Sequence, residues 1–172
     1  MRVVHLALLA ALLASGCKYN LDGQDMGDGG SGRPCKVTTA AVCQEATTHS
    51  DFAWIESKIF LSNCFGASCH TGVTASGKLD LSGGKSYASL LGAGGTGGVK
   101  STIDTSRDLV VPTDPNKSYL YLMLHAIDPS EADPPASAPP SNVGYMPMNN
   151  GVLCCQKLDA VQRWIQAGAM ND

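Results

Sequence analysis

Apolar residues recur at helical spacing in three stretches of this chain. From Asp51, the side chains of Phe52, Ile55, Ile59 and Phe60 share one helical face, with Trp54 beside them. Ser50 or Asp51 suits the N-cap, and the predicted helix runs directly into Cys64. A second helix starts at Asp114-Pro115, with Asp as cap and Pro in the first turn. It carries Tyr119, Leu120, Leu122, Met123 and Leu124 to about His125, and Pro129 ends it. The third is the clearest: Leu158, Val161, Trp164 and Ile165 form a stripe, and Gly168 suits the C-terminal cap. Residues 71–117 are loop-rich. Leu79-Asp80-Leu81 is too short to assign, Tyr87 to Leu91 predicts one or two helical turns, and Gly92 to Gly98 is a glycine loop. Residues 128–144 are rich in Pro, Ala and Ser and predict an extended surface loop, followed by Tyr145-Met146-Pro147-Met148 and an Asn150-Gly151 turn. Alternating β-branched runs are few. The pattern predicts a mainly α fold of few helices joined by long ordered loops.

The first residues carry a different signal. Arg2 precedes an apolar run, Val3 to Ala14, that is too short to span a membrane as a helix. It ends in Leu13-Ala14-Ser15-Gly16-Cys17, which resembles the bacterial lipobox, with Ala14 where that pattern most often has leucine. The expectation is a lipoprotein signal peptide over 1–16 and lipidation of Cys17; the plainer alternative is an ordinary signal peptide cut nearby. Lys18 rather than Asp follows the cysteine, which by resemblance to lipoprotein sorting favours the outer membrane. Residues 17–34 are Gly- and Asp-rich with almost no apolar side chains, so they predict a flexible tether from anchor to domain. Residues 35–172 remain as one domain. The expected location is the bacterial cell envelope, an oxidising compartment where disulfides persist.

The formal charge of the whole chain is −3, and loss of Arg2 with the leader makes it −4. No basic patch speaks for nucleic acid as a partner. Gly92, Gly94 and Gly97 spell G-x-G-x-x-G, but no strand precedes them and no apolar helix follows, so a nucleotide site is not expected. No paired carboxylates or Ser/His/Asp set suggests a catalyst, so an electron carrier or binding protein is expected rather than an enzyme.

The candidate chemistry lies in Cys64-Phe65-Gly66-Ala67-Ser68-Cys69-His70. A c-type haem site uses two thiols for thioether bonds and a histidine directly after the second as iron ligand, usually as C-x-x-C-H. Here the spacing is C-x-x-x-x-C-H, two residues longer, which requires a looped-out turn between the cysteines.

Further pieces follow in order: Ile59-Phe60, then Cys69-His70-Thr71-Gly72, Val110-Val111-Pro112-Thr113-Asp114-Pro115 with Ser118-Tyr119-Leu120-Tyr121, Met146-Pro147, and Trp164-Ile165-Gln166-Ala167-Gly168-Ala169. This order over about 51–170 resembles class I cytochrome c domains, in particular the exported planctomycete-type ones. The resemblance implies a cytochrome c-like fold and covalent haem c. It implies thioethers at Cys64 and Cys69, His70 as proximal ligand and Met146 as distal ligand. It also implies that the helix before Cys64 crosses the terminal helix, with Phe60 and Trp164 at or near the contact. Its expected partner is a periplasmic or outer-membrane redox protein, with the membrane reached through the lipid anchor.

Six cysteines remain after Cys17: Cys35, Cys43, Cys64, Cys69, Cys154 and Cys155. The adjacent Cys154 and Cys155 strain to pair with each other, so Cys35 and Cys43 are their natural partners, stapling the N-terminal segment to the last helix. Cys64 and Cys69 are then left for a small disulfide loop or for haem. Zinc is a weaker possibility, since Cys154-Cys155 lacks the spacing of a second knuckle. For the distal position Met148 and His125 are alternatives to Met146, Met123 and Met170 suit helix packing better, and His49 suits the surface. The rival to the electron carrier is a haem-free, disulfide-stabilised structural or binding lipoprotein on a similar scaffold.

Overall fold

A computed structural model describes residues 35–66, 69–127, 129–132, 134–135, 145–148 and 151–172. The leader, Cys17 and the tether lie outside these residues, as do Asn150 and most of 128–144. The described part is helix-rich and has no strand; one isolated antiparallel bridge joins Lys100 and Asp108. The helices are α1 (Ala41–Ala46), α2 (Phe52–Ile55), α3 (Ser86–Leu91), α4 (Tyr119–His125) and α5 (Cys155–Gln166). Among the described residues no helix is long and apolar enough to cross a membrane.

The helix expected from Asp51 forms, but most of it is wound differently. Asp51 caps α2 by accepting from the Trp54 amide, and Glu56–Cys64 continue as a π-helix. The buried positions Ile55, Ile59, Phe60 and Cys64 recur every four to five residues, which suits an i→i+5 turn. At 3.6 residues per turn Cys64 would lie about two and a half turns beyond Ile55, on the opposite face. The wider winding brings it back to the buried face.

The helix expected from Asp114 is two pieces. Pro115–Lys117 make a 3₁₀ turn capped by the Asp114 carboxylate, and α4 begins only at Tyr119. Ser118 separates them in an extended conformation. Its buried hydroxyl accepts from the Val111 amide at 2.9 Å and donates to the Asp114 carbonyl at 2.8 Å. Those bonds hold the chain out of helical geometry at that residue.

α5 packs on the first half of the domain. Phe52 lies between rings, with centroids 5.2 Å from Trp164, 6.1 Å from Phe60 and 5.0 Å from Tyr87. Phe60 and Trp164 are both fully buried in this core. Gly168, at φ +105°, terminates α5 as expected: its amide donates to the Ile165 carbonyl and that of Ala169 donates to Trp164. The last residue returns to the start of α2, where Asp172 accepts from the amides of Phe52 and Ala53.

Two disulfides, Cys35–Cys155 and Cys43–Cys154, tie the N-terminal segment to the start of α5. α1, for which no helix was expected, is held by the same staple. Arg163 donates to the carbonyl of Ala46, the last residue of α1, and to that of His49 just beyond it, and Gln156 bonds Thr38 through both amide atoms. His49 is half-exposed, bonded to Asp51 and stacked on Trp54 with centroids 4.9 Å apart.

Candidate functional site

The π-helix delivers Cys64 buried at its C-terminus, and the chain then turns back on itself. Ala67 and Ser68 lie outside the described residues, but the flanks of the turn are pinned. The Cys69 amide donates to the Gly66 carbonyl at 2.9 Å, and the His70 amide donates to the Cys64 carbonyl at 3.3 Å. The longer spacing between the cysteines is thereby drawn back so that Cys64, Cys69 and His70 all face one cavity.

That cavity is about 200 Å³. Cys64, Cys69 and His70 line one part of it, and the α4 residues Tyr119, Leu120, Met123 and Leu124 another. Met146, Pro147 and Met148 contribute from the late loop. Met146 is partly buried against the core, and its amide donates to the Met123 carbonyl at 3.1 Å, tying the loop to α4. Its peptide bond to Pro147 is cis. Met148 also reaches the cavity but is half exposed.

The segment Leu79-Asp80-Leu81, unassigned from sequence, supports the histidine. His70 Nδ1 lies 3.2 Å from the Leu79 carbonyl. A carbonyl can only accept, so Nδ1 carries the proton and the lone pair is left on Nε2. The His70 carbonyl accepts from Leu81 at 2.9 Å. Asp80 accepts from the amides of Gly72 and Ser82, which holds the loop after His70. Burial pushes the imidazole below its ordinary pKa, opposed by bonds to the backbone of Leu79 and Ser76. The ring is neutral at pH 7, the form that can ligate a metal.

Burial raises the Cys64 thiol to about 12; a neighbouring Cys69 thiolate would raise it further, and Lys157 opposes the shift. Cys64 and Cys69 are both free thiols. Of the two arrangements open from sequence for that pair, the structure has no small disulfide loop.

His125 is not in the cavity wall. It is buried with its ring against Tyr121, centroids 4.1 Å apart, and Nε2 has no hydrogen-bond partner among the described residues. Met123 serves both as helix packing and as cavity wall. Cys154 and Cys155 are consumed by disulfides, which removes them from any metal site. Among the described residues, no three His, Cys, Asp or Glu side chains are grouped to hold a metal ion.

The glycine loop is explained by packing. A Cβ on Gly95 would meet the Tyr87 hydroxyl at 2.7 Å, and one on Gly97 the Val110 carbonyl at 3.1 Å. Sequence reading missed two contributors: Lys157, hydrogen-bonded behind the Cys64 wall, and Leu79, whose role runs through its carbonyl. A side-chain pattern cannot signal a backbone acceptor, while a lysine in the first turn of an amphipathic helix reads as solvent-facing. Comparison with protein-family models, curated proteins and solved structures finds no match.

Proposed function

We propose that this protein is an exported, lipid-anchored monohaem c-type cytochrome that passes single electrons between envelope partners. The observation that carries the reading is the convergence of Cys64, Cys69, His70 and Met146 on one cavity, although the last lies more than seventy residues from the others in sequence.

The residues fit such a group. His70 presents a neutral imidazole held through Nδ1 by the Leu79 carbonyl, Met146 offers a soft thioether, and leucines and Met123 supply an apolar wall. Cys64 and Cys69 are left as thiols after the other four described cysteines have paired, which favours this reading over a domain stapled throughout by disulfides. The cavity is below the roughly 300–1,000 Å³ common for small-molecule sites. A macrocycle would therefore be only partly enclosed, and the exposed Ile103 and Met148 in the cavity wall mark apolar surface available at its rim.

Cys64 and Cys69 would hold the haem covalently, and His70 and Met146 would ligate the iron, which supplies one-electron chemistry when bound. The chain's own part is to fix His70 through Leu79, to hold Met146 through its amide bond to Met123, and to exclude water with the α4 face. A lipidated Cys17 and a flexible tether would confine the domain near the membrane and raise its effective concentration there.

The test is expression in a host with haem-attachment machinery, followed by a reduced visible spectrum. Sharp α and Soret bands that survive acid–acetone extraction are expected. A protein that stays colourless in that host overturns the proposal.

A further inference from the structure

Lys157 stands in the first turn of α5 with only 7% of its surface exposed. Its ammonium donates to the Lys58 carbonyl at 2.7 Å and to Asn63 Oδ1 at 3.0 Å. Both acceptors belong to the π-helix that ends in Cys64, and Asn63 and Cys64 are themselves cavity wall. Among the described residues no carboxylate pairs with this ammonium.

A buried lysine without a counter-charge is costly, because the desolvation of the ammonium is met only by neutral dipoles. A neutral donor could make the tether between α5 and the π-helix without that cost. What only the charged form adds is a fixed positive potential directly behind the Cys64 wall, where low dielectric and exclusion of water keep it from being screened.

We infer that Lys157 is a positioning residue that sets the electrostatics of the cavity, its uncompensated charge favouring the more negative state of whatever stands beside Cys64. For a redox group in the cavity, which rests on the proposed function, that is the reduced state. For the haem-free chain it is the Cys64 thiolate. The tether and the charge are separable, since Lys157→Arg keeps the charge, Lys157→Gln keeps a donor without charge, and Lys157→Met keeps only the apolar stem.

The experiment has two arms. In the haem-loaded protein, midpoint potentials are measured for the wild type and the three variants. Lys157→Gln and Lys157→Met are expected to shift the oxidised-to-reduced ratio roughly tenfold toward oxidised, about 59 mV lower for one electron. Lys157→Arg is expected to stay near wild type. In the haem-free exported chain, Cys69→Ser leaves Cys64 as the lone unpaired cysteine among the described residues. Its iodoacetamide reaction is expected to slow severalfold in the Gln and Met variants and to hold in Arg. Near-ultraviolet circular dichroism on every variant selects those that keep the native packing. If Lys157→Gln matches wild type in both arms, the residue is a tether only and the inference is overturned. If no haem is incorporated even by wild type, the proposed function fails, while the alkylation arm still decides the role of Lys157.

Discussion

The Leu79 carbonyl accepts a hydrogen bond from His70 Nδ1 at 3.2 Å, across nine residues that contain two 3₁₀ turns, Gly72–Thr74 and Ser76–Lys78. This bond fixes the tautomer, and so decides which imidazole nitrogen faces chemistry. If the proposed function holds, His70→Gly gives a protein whose thioethers still form but whose iron lacks its proximal nitrogen. Added imidazole should restore the wild-type spectrum, because the vacated space and the Leu79 acceptor both remain. An unchanged spectrum in His70→Gly would place the ligand elsewhere.

The two loop methionines separate in the same assay. Met146→Ala is expected to alter the ligation spectrum and lower the potential, since a soft thioether favours the reduced metal. Met148→Ala, at a half-exposed position, is expected to leave both unchanged. The reverse pattern would assign the distal position to Met148.

His125 gives a pH dependence independent of any bound group. Burial lowers it from 6.5 to about 4. The unfolded chain therefore binds a proton in a pH range where the folded one does not, so stability rises with pH there. The contribution is intact above pH 6.5, falls as the pH is lowered toward about 4, and is flat below that. The span corresponds to about 3 kcal/mol. Urea midpoints at pH 7 and pH 5 should show a smaller acid loss in His125→Leu than in wild type, and an equal loss would sink the assignment.

The disulfide pairing can be tested with paired serine variants. Cys35→Ser with Cys155→Ser, or Cys43→Ser with Cys154→Ser, removes one bond cleanly and leaves the other. Each is expected to cost about 2–4 kcal/mol in denaturant unfolding. The crossed pair, Cys35→Ser with Cys154→Ser, leaves Cys43 and Cys155 without their native partners. Two additional thiols should then react with an alkylating reagent under non-reducing conditions.

Ser118 is a small residue with a large expected effect. Ser118→Ala leaves the Val111 amide without its acceptor in a buried position, which costs about 1–3 kcal/mol. The cost should appear as a lower urea midpoint at unchanged slope. A neutral result would mean that solvent replaces the hydroxyl.

Sequence by itself determined the helical class, a cap at Ser50 or Asp51, the terminal stripe of α5 with its Gly168 stop, and the partnership of Cys35 and Cys43 with the vicinal cysteines. These are local matters, settled by residue spacing, capping chemistry and the geometry of adjacent thiols. It also singled out Cys64, Cys69, His70 and Met146, but as separate marks along a line. Only the tertiary structure decided that they share a cavity, because that depends on the π winding that rotates Cys64 inward and on the Met146 amide reaching Met123. It decided that Cys35 takes Cys155 and Cys43 takes Cys154, a choice between crossing patterns that spacing leaves open. It turned the single helix expected after Asp114 into two pieces, since the bonds of Ser118 outweigh its helical neighbours. And it buried Lys157, whose contacts with Lys58 and Asn63 arise from chain segments more than ninety residues away, where no local pattern can announce them.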